Sequence, residues 1–187
     1  MALWSRRAVP APIVLPVAPI QTLNEHPFRG WTESLFVSGL IRDEDRLSDA
    51  LNRREPVRID GPSIMPIGAA TQSRMNPPEM TLDPFDFELV LGMKQRNARP
   101  GDPSARRIHK VRYPVEIMAG AFQIFGTLHI FPGNAPEFVA QYSGALFFPI
   151  TDPTIRRDGR VITDPTVEVA LINRYSIQKI TQLDIVH

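Results

Sequence analysis

Cysteine is missing from this chain altogether, which excludes a disulfide framework, a thiolate metal site and a thiol nucleophile while leaving the compartment open. A dominant charge is missing too. Lys and Arg number 21 against 20 Asp and Glu, for a formal net charge of +1, which argues against a uniformly basic nucleic-acid binder but not against a local patch. Nor is there an apolar run long enough to span a bilayer. Met1 to Ile20 comes nearest, and Pro10, Pro12, Pro16 and Pro19 interrupt it. The same prolines break the helix that a secretory signal needs, so despite Arg6 and Arg7 the segment reads as mature sequence.

The usual catalytic signatures are also wanting. His26, His109, His129 and His187 form no i, i+4 pair and no HExxH, so a zinc site would have to be assembled wholly by tertiary contact. Neither Ser38-Gly39 nor Ser143-Gly144 makes a nucleophile elbow. No GxxxxGK[ST] or GxGxxG cradles a phosphate. Asp43, Asp45 and Asp49 alternate as in a calcium loop but lack its glycine and closing glutamate, and the first turn of a helix explains them. Asp152 and Asp164 each precede a proline, which reads as turn initiation rather than as an acid-base pair.

What is there is strand and turn. The nineteen prolines outnumber the eleven glycines and predict a loop-rich fold without long helices. Phe122, Ile124, Leu128 and Ile130 alternate about Gly126, as in a half-buried strand with a bulge. Pro132-Gly133-Asn134 stops that strand, and Asp158-Gly159 predicts a two-residue hairpin. Thr166 to Ile172 alternates again, with Tyr175, Ile177 and Ile180 beyond it. Leu35 and Val37 before Gly39 repeat the outline around Gly126. Asp43 to Asn52 is the best short helix, with Leu47 and Leu51 at i and i+4.

Several features then recur in order: a glycine-centred strand, a short insert, an apolar strand, GPSI at Gly61 to Ile64 against DPTI at Asp152 to Ile155, and a strand introduced by Asp83-Pro84 or Asp164-Pro165. Preserved order of this kind points to duplication of one supersecondary unit. Within the first copy Met65 to Met80 reads as a long surface loop, and between the copies residues 94 to 112 read as a basic linker.

RLSDALN (Arg46 to Asn52), FFPITDPTI (Phe147 to Ile155) and LINRYSI (Leu171 to Ile177) resemble a family of short uncharacterised bacterial β-domain proteins with an RLSD-LN / PLTD / VNR-I pattern, whose layout is similar to Sm-like or SH3-like small barrels. The first copy keeps the RLSD element and lacks the VNR strand; the second keeps the last two elements and has PEFVAQY for the first. The resemblance implies a compact β fold that often assembles, and it carries over no catalytic residue.

The expected fold is therefore mainly β, with two tandem small β-sheet or β-barrel modules, one short helix and a proline-rich arm. The boundaries expected are 1–27 for the arm, 28–95 and 111–187 for the modules and 96–110 for the linker. The expected role is that of a soluble, cytoplasmic, non-enzymatic structural or accessory subunit without a cofactor. It would bind a protein partner, or further copies of itself, through strand edges and through Pro10, Ile13, Leu15 and Val17 of the arm. The alternatives are an Sm-like RNA or DNA binder using Arg96, Arg99, Arg106, Arg107, Lys110 and Arg112, and an enzyme with a site between the modules.

Overall fold

A computed structural model of the chain describes residues 23–68, 74–94 and 110–184. Eleven strands form one antiparallel sheet. The first half supplies β1 (Asn24–Thr32), β2 (Leu35–Asp43), β3 (Val57–Pro66), β4 (Glu79–Leu82) and β5 (Phe87–Met93), with α1 (Leu47–Asn52) between β2 and β3. The second half supplies β6 (Val111–Ala119), β7 (Phe122–Ile130), β8 (Phe147–Arg157), β9 (Arg160–Val161), β10 (Val167–Asn173) and β11 (Ile177–Gln182). Its helical insert is shorter, α2 (Val139–Tyr142) after a 3-10 turn at Pro136–Phe138. Across the sheet the order is β11-β6-β7-β8-β10-β5-β1-β2-β3-β4, with β9 on β8. The fold is mainly β, as expected.

The pairing scheme of the first half recurs in the second. β1, β2, β3 and β4 pair in succession and β5 returns to β1; β6, β7, β8 and β10 pair in succession and β11 returns to β6. The registers also correspond. Phe28 faces Gly39 as Val115 faces Gly126, and the irregularity at Ser38/Leu40 on β3 has its counterpart at Phe125/Thr127 on β8.

Close packing demands a glycine at both places. A Cβ on Gly39 would lie 2.7 Å from Ile59 Cγ2 and 3.2 Å from the Asp60 carbonyl; on Gly126 it would lie 2.5 Å from Ile150 Cγ2 and 2.8 Å from the Thr151 carbonyl. One residue further along, Gly61 has φ 54° and Asp152 φ 52°, so GPSI and DPTI are one left-handed kink in two spellings. DPTI is thus interior to β8 rather than a turn. The hairpin lies at Asp158 (φ 49°) and Gly159 (φ 75°), between the paired Arg157 and Arg160, as predicted from the Asp-Gly pair.

Three expectations need correction. β1 begins at Asn24, inside the span expected for the arm, and the first half ends in strand at Met93. The helix begins at Leu47, not Asp43: Asp43 ends β2, and the Arg53 guanidinium holds both Asp43 and Asp45. The two Asp-Pro strands are not counterparts. β10 pairs β8 as β4 pairs β3, so the partner of Asp83-Pro84-Phe85 is Asn173-Arg174-Tyr175. Each opens a 3-10 turn whose first side chain accepts from the N–H two residues on, 2.9 Å to Asp83 and 3.0 Å to Asn173.

The halves meet through β5 and β10, whose facing residues include Leu91 with Ala170 and Val90 with Leu171. Both strands are apolar at consecutive positions, FELVLGM and VEVALIN, because both of their faces are buried. Leu89 and Leu91 point into the core of the second half, beside Ile124, Ile150 and Ala170. Leu171 and Phe147 point into the core of the first half, beside Phe28, Ile59 and Phe87. Each core is therefore walled by the other half.

Gly126→Ala is expected to lower stability by about 1–3 kcal/mol through overpacking, whereas Gly144→Ala, with nothing within 4 Å of its Cβ, leaves it within about 0.5 kcal/mol. Urea titration of both variants checks the contrast.

Candidate functional site

No deep cavity presents itself among the described residues. Two open concavities, about 260 and 220 Å³, lie side by side over the β2–α1 region, below the usual range of small-molecule sites. The first is lined by Leu23, Arg42, Asp43, Glu44, Asp45 and Arg53. Its charges are already matched: Arg53 Nη1 donates to Asp45 at 2.8 Å, and its Nη2 to Asp43. Burial opposes the charge on Asp43, but the Asp45 N–H and Arg53 outweigh it and keep its pKa below the ordinary carboxylate value. Arginine thus occupies the place of the ion in the calcium-loop reading. Among the described residues no three His, Asp or Glu side chains converge on a metal position.

Glu33, Glu88 and Arg157 form one cluster of titratable groups where the halves meet. Burial raises the Glu88 pKa, Arg157 opposes that shift and Glu33 adds to it. Glu88 lies against the turn after β6, its carboxylate 3.1 Å from a Cβ built on Gly120. Arg157 stacks over Phe122 at 5.3 Å, and its Nε is buried without a hydrogen-bond partner. This cluster is a structural seam: the aromatic contact of Trp31 with Phe122, at 5.6 Å, bridges the halves beside it.

Asp152 and Asp164 occupy two unrelated positions. Asp152 occupies the left-handed kink of β8 and is exposed. Asp164 accepts from the Thr166 hydroxyl and, at 2.8 Å, from the Thr166 N–H, while Arg29 of β1 donates to its other oxygen at 2.5 Å. These donors, Thr166 first, lower its pKa to about 2.

Of the basic residues singled out, Arg96, Arg99, Arg106 and Arg107 lie outside the described residues, as do Pro10, Ile13, Leu15 and Val17. Lys110 and Arg112 are described, and the fold brings them together with two side chains that were not expected there. The Lys110 ammonium lies 5.8 Å from the ring centre of Phe131, which is 51% exposed. Arg112 pairs across the ladder with His129, whose Nε2 is 2.9 Å from Thr151 Oγ1. Burial, then Arg112 and Lys110, lower the His129 pKa, so its ring stays neutral at pH 7 and the two cations carry the patch.

Two asparagines went unremarked as contacts. Asn52 at the end of α1 accepts from the Leu146 and Phe147 N–H groups, both at 2.8 Å, and donates to the Phe147 carbonyl at 3.2 Å. Asn173, buried, donates to the Phe87 carbonyl at 2.7 Å. Both tie one half to the other, and both lie in the stretches RLSDALN and LINRYSI. The signal in the sequence was their place in those stretches; Asn52 was read there only as a helix end.

The remaining open chemistry is backbone. Among the described residues β4 pairs only with β3 and β11 only with β6, and the 3-10 turn at Pro136–Phe138 packs against β11; the outer backbone row of each strand has no second strand to bond it. No described helix is long and apolar enough to cross a membrane. No family model, curated protein or solved structure matches the chain.

Asp164→Asn is expected to cost less than about 1 kcal/mol at pH 7, because its ion pair is more than a third exposed. The native pKa is depressed, so the wild-type advantage is present above the unfolded aspartate value near pH 4 and disappears as pH falls toward 2. Urea titrations of both proteins at pH 7, 4 and 2.5 check the convergence.

Proposed function

We propose that the chain is a non-enzymatic structural or accessory subunit that binds other proteins through its open strand edges, aided by the proline-rich segment before residue 23. The observation that carries the reading is that, among the described residues, β4 and β11 stand at the two ends of the sheet with one strand partner each. A strand edge offers main-chain hydrogen bonds to any extended segment, and the alternate side chains select among them. The resemblance to small β domains agrees with this role. The two halves are on this view editions of one unit, supported by the matching registers and by the paired kinks at Gly61 and Asp152. Residues 1–20 supply apolar, extended-favouring sequence suited to lie on a partner.

A second reading has its own observation. Lys110, Arg112 and the exposed ring of Phe131 form a basic and aromatic surface at the end of the basic stretch, the combination that holds single-stranded nucleic acid by phosphate contact and stacking.

Removing residues 1–20 is expected to weaken partner retention in a pull-down from native source at least tenfold. Undiminished retention counts against the arm. Binding of labelled single-stranded RNA that falls steeply between 50 and 200 mM salt, and that Phe131→Ala weakens, would favour the second reading instead.

A further inference from the structure

The chain contains a worked example of how its own free edges can be satisfied. β10 is the fourth strand in the pairing scheme of the second half and β5 the returning fifth strand of the first, and the two pair edge to edge. Among the described residues, the strands at the ends of the sheet with a single strand partner are the counterparts of these two: β4 is the fourth strand of the first half and β11 the returning strand of the second. We infer that β4 of one chain pairs with β11 of another, head to tail, in the register that β10 and β5 already use inside the chain. This rests on reading the edges as the recognition surface, and it names their partner as a second copy.

The correspondence fixes the register. Met80 faces Ile59 as Ala170 faces Ile150, and Thr181 faces Glu116 as Leu91 faces Arg29. Ala170 faces Leu91 within the chain, so Met80 of one chain faces Thr181 of the next, with Thr81 opposite Ile180 and Leu82 opposite Lys179. Side-chain directions agree as well. Met80 and Leu82 pack toward the first core and Ile180 into the second, as Ala170, Ile172 and Val90 pack into the cores of their own halves. The alternate positions, which at the internal junction are Leu171, Leu89 and Leu91, are Thr81, Lys179 and Thr181 at the free edges. The contact between chains is therefore more polar than the one within, and it is reversible where the internal one is permanent.

A heterologous contact of this kind closes into a ring when the rotation per chain allows it and otherwise extends as a filament. A dimer joined through like edges, β4 to β4 or β11 to β11, is excluded, because the pairing joins two different edges.

The absence of native cysteine gives a direct test. Met80→Cys and Thr181→Cys are introduced into separate full-length chains, and each is mildly oxidised alone and after mixing. The expected result is a disulfide dimer containing one of each chain in the mixture and none from either chain alone. Thr81→Cys replaces Met80→Cys as the register control and, facing the opposite side, should cross-link at least tenfold less. Native mass spectrometry of the wild type at tens of micromolar should show multiples of the 21.0 kDa chain, either one closed number or a series growing with concentration. Thr81→Lys and Thr181→Lys should each shift it to monomer. A dimer from Met80→Cys alone, or a wild-type monomer with no mixed cross-link, overturns the inference. So does a chain that assembles only once residues 1–20 are removed, since its own segment then occupies the edge. If the wild type is monomeric while Thr81→Lys or Thr181→Lys still abolishes capture of a different protein, the edges remain a recognition surface and self-pairing alone fails.

Discussion

The antiparallel ladder between β5 and β10 is the contact on which the rest of the molecule depends. It is the one place where the sheet passes from the first half of the chain to the second, and the strands that make it are buried on both faces. A strand with two dry faces serves two cores at once. Removing one methyl-rich side chain there, Leu89 for instance, takes apolar surface from the core of the opposite half rather than from its own. Asn173 fastens the ladder at its margin by donating to the Phe87 carbonyl of β5, and Asn52 ties α1 to the start of β8 beside it. The result is one cooperative body whose two sequence halves cannot be credited with separate stabilities.

How much of this could be read in the chain depended on whether the constraint was local. Gly39 and Gly126 were legible because no side chain fits where the crossing strand approaches, and a strand pattern broken by glycine announces that constraint wherever it occurs. GPSI and DPTI were legible as counterparts for the same reason, since a left-handed residue followed by proline leaves few spellings. The hairpin at Asp158-Gly159 is a two-residue instruction.

Where the constraint was distant the reading faltered. β4 has only four residues, EMTL, set in a stretch rich in proline and methionine, and nothing local separates it from a loop; its partner β3 makes it a strand. β6 starts at the expected module boundary, residue 111, but it contains Arg112 and Pro114 and follows a run of charge, so its sequence carries little strand pattern of its own. The Asp-Pro comparison failed because the task at that position, accepting the N–H two residues on, is done equally well by Asp83 and by Asn173. Function at the level of one hydrogen bond was conserved between the halves while the letters were not. Of the site, the basic and aromatic patch was half visible: Lys110 and Arg112 stood out by charge, but Phe131 and His129 join them only because β6 and β7 lie side by side. The open edges are a property of topology, and no residue spells that out.

The contrast between the inner ladder and the outer rims has a consequence for how such a molecule changes over time. Covalent tethering keeps β5 and β10 at high effective concentration whatever else is in solution. Their leucines and valines are therefore never offered to strangers. The rims enjoy no such shelter, and there lysine and threonine stand at the places corresponding to leucine. Joining the two inner strands through one chain thus separates two demands: glue strong enough to hold β5 to β10, and a boundary polite enough to stay dispersed.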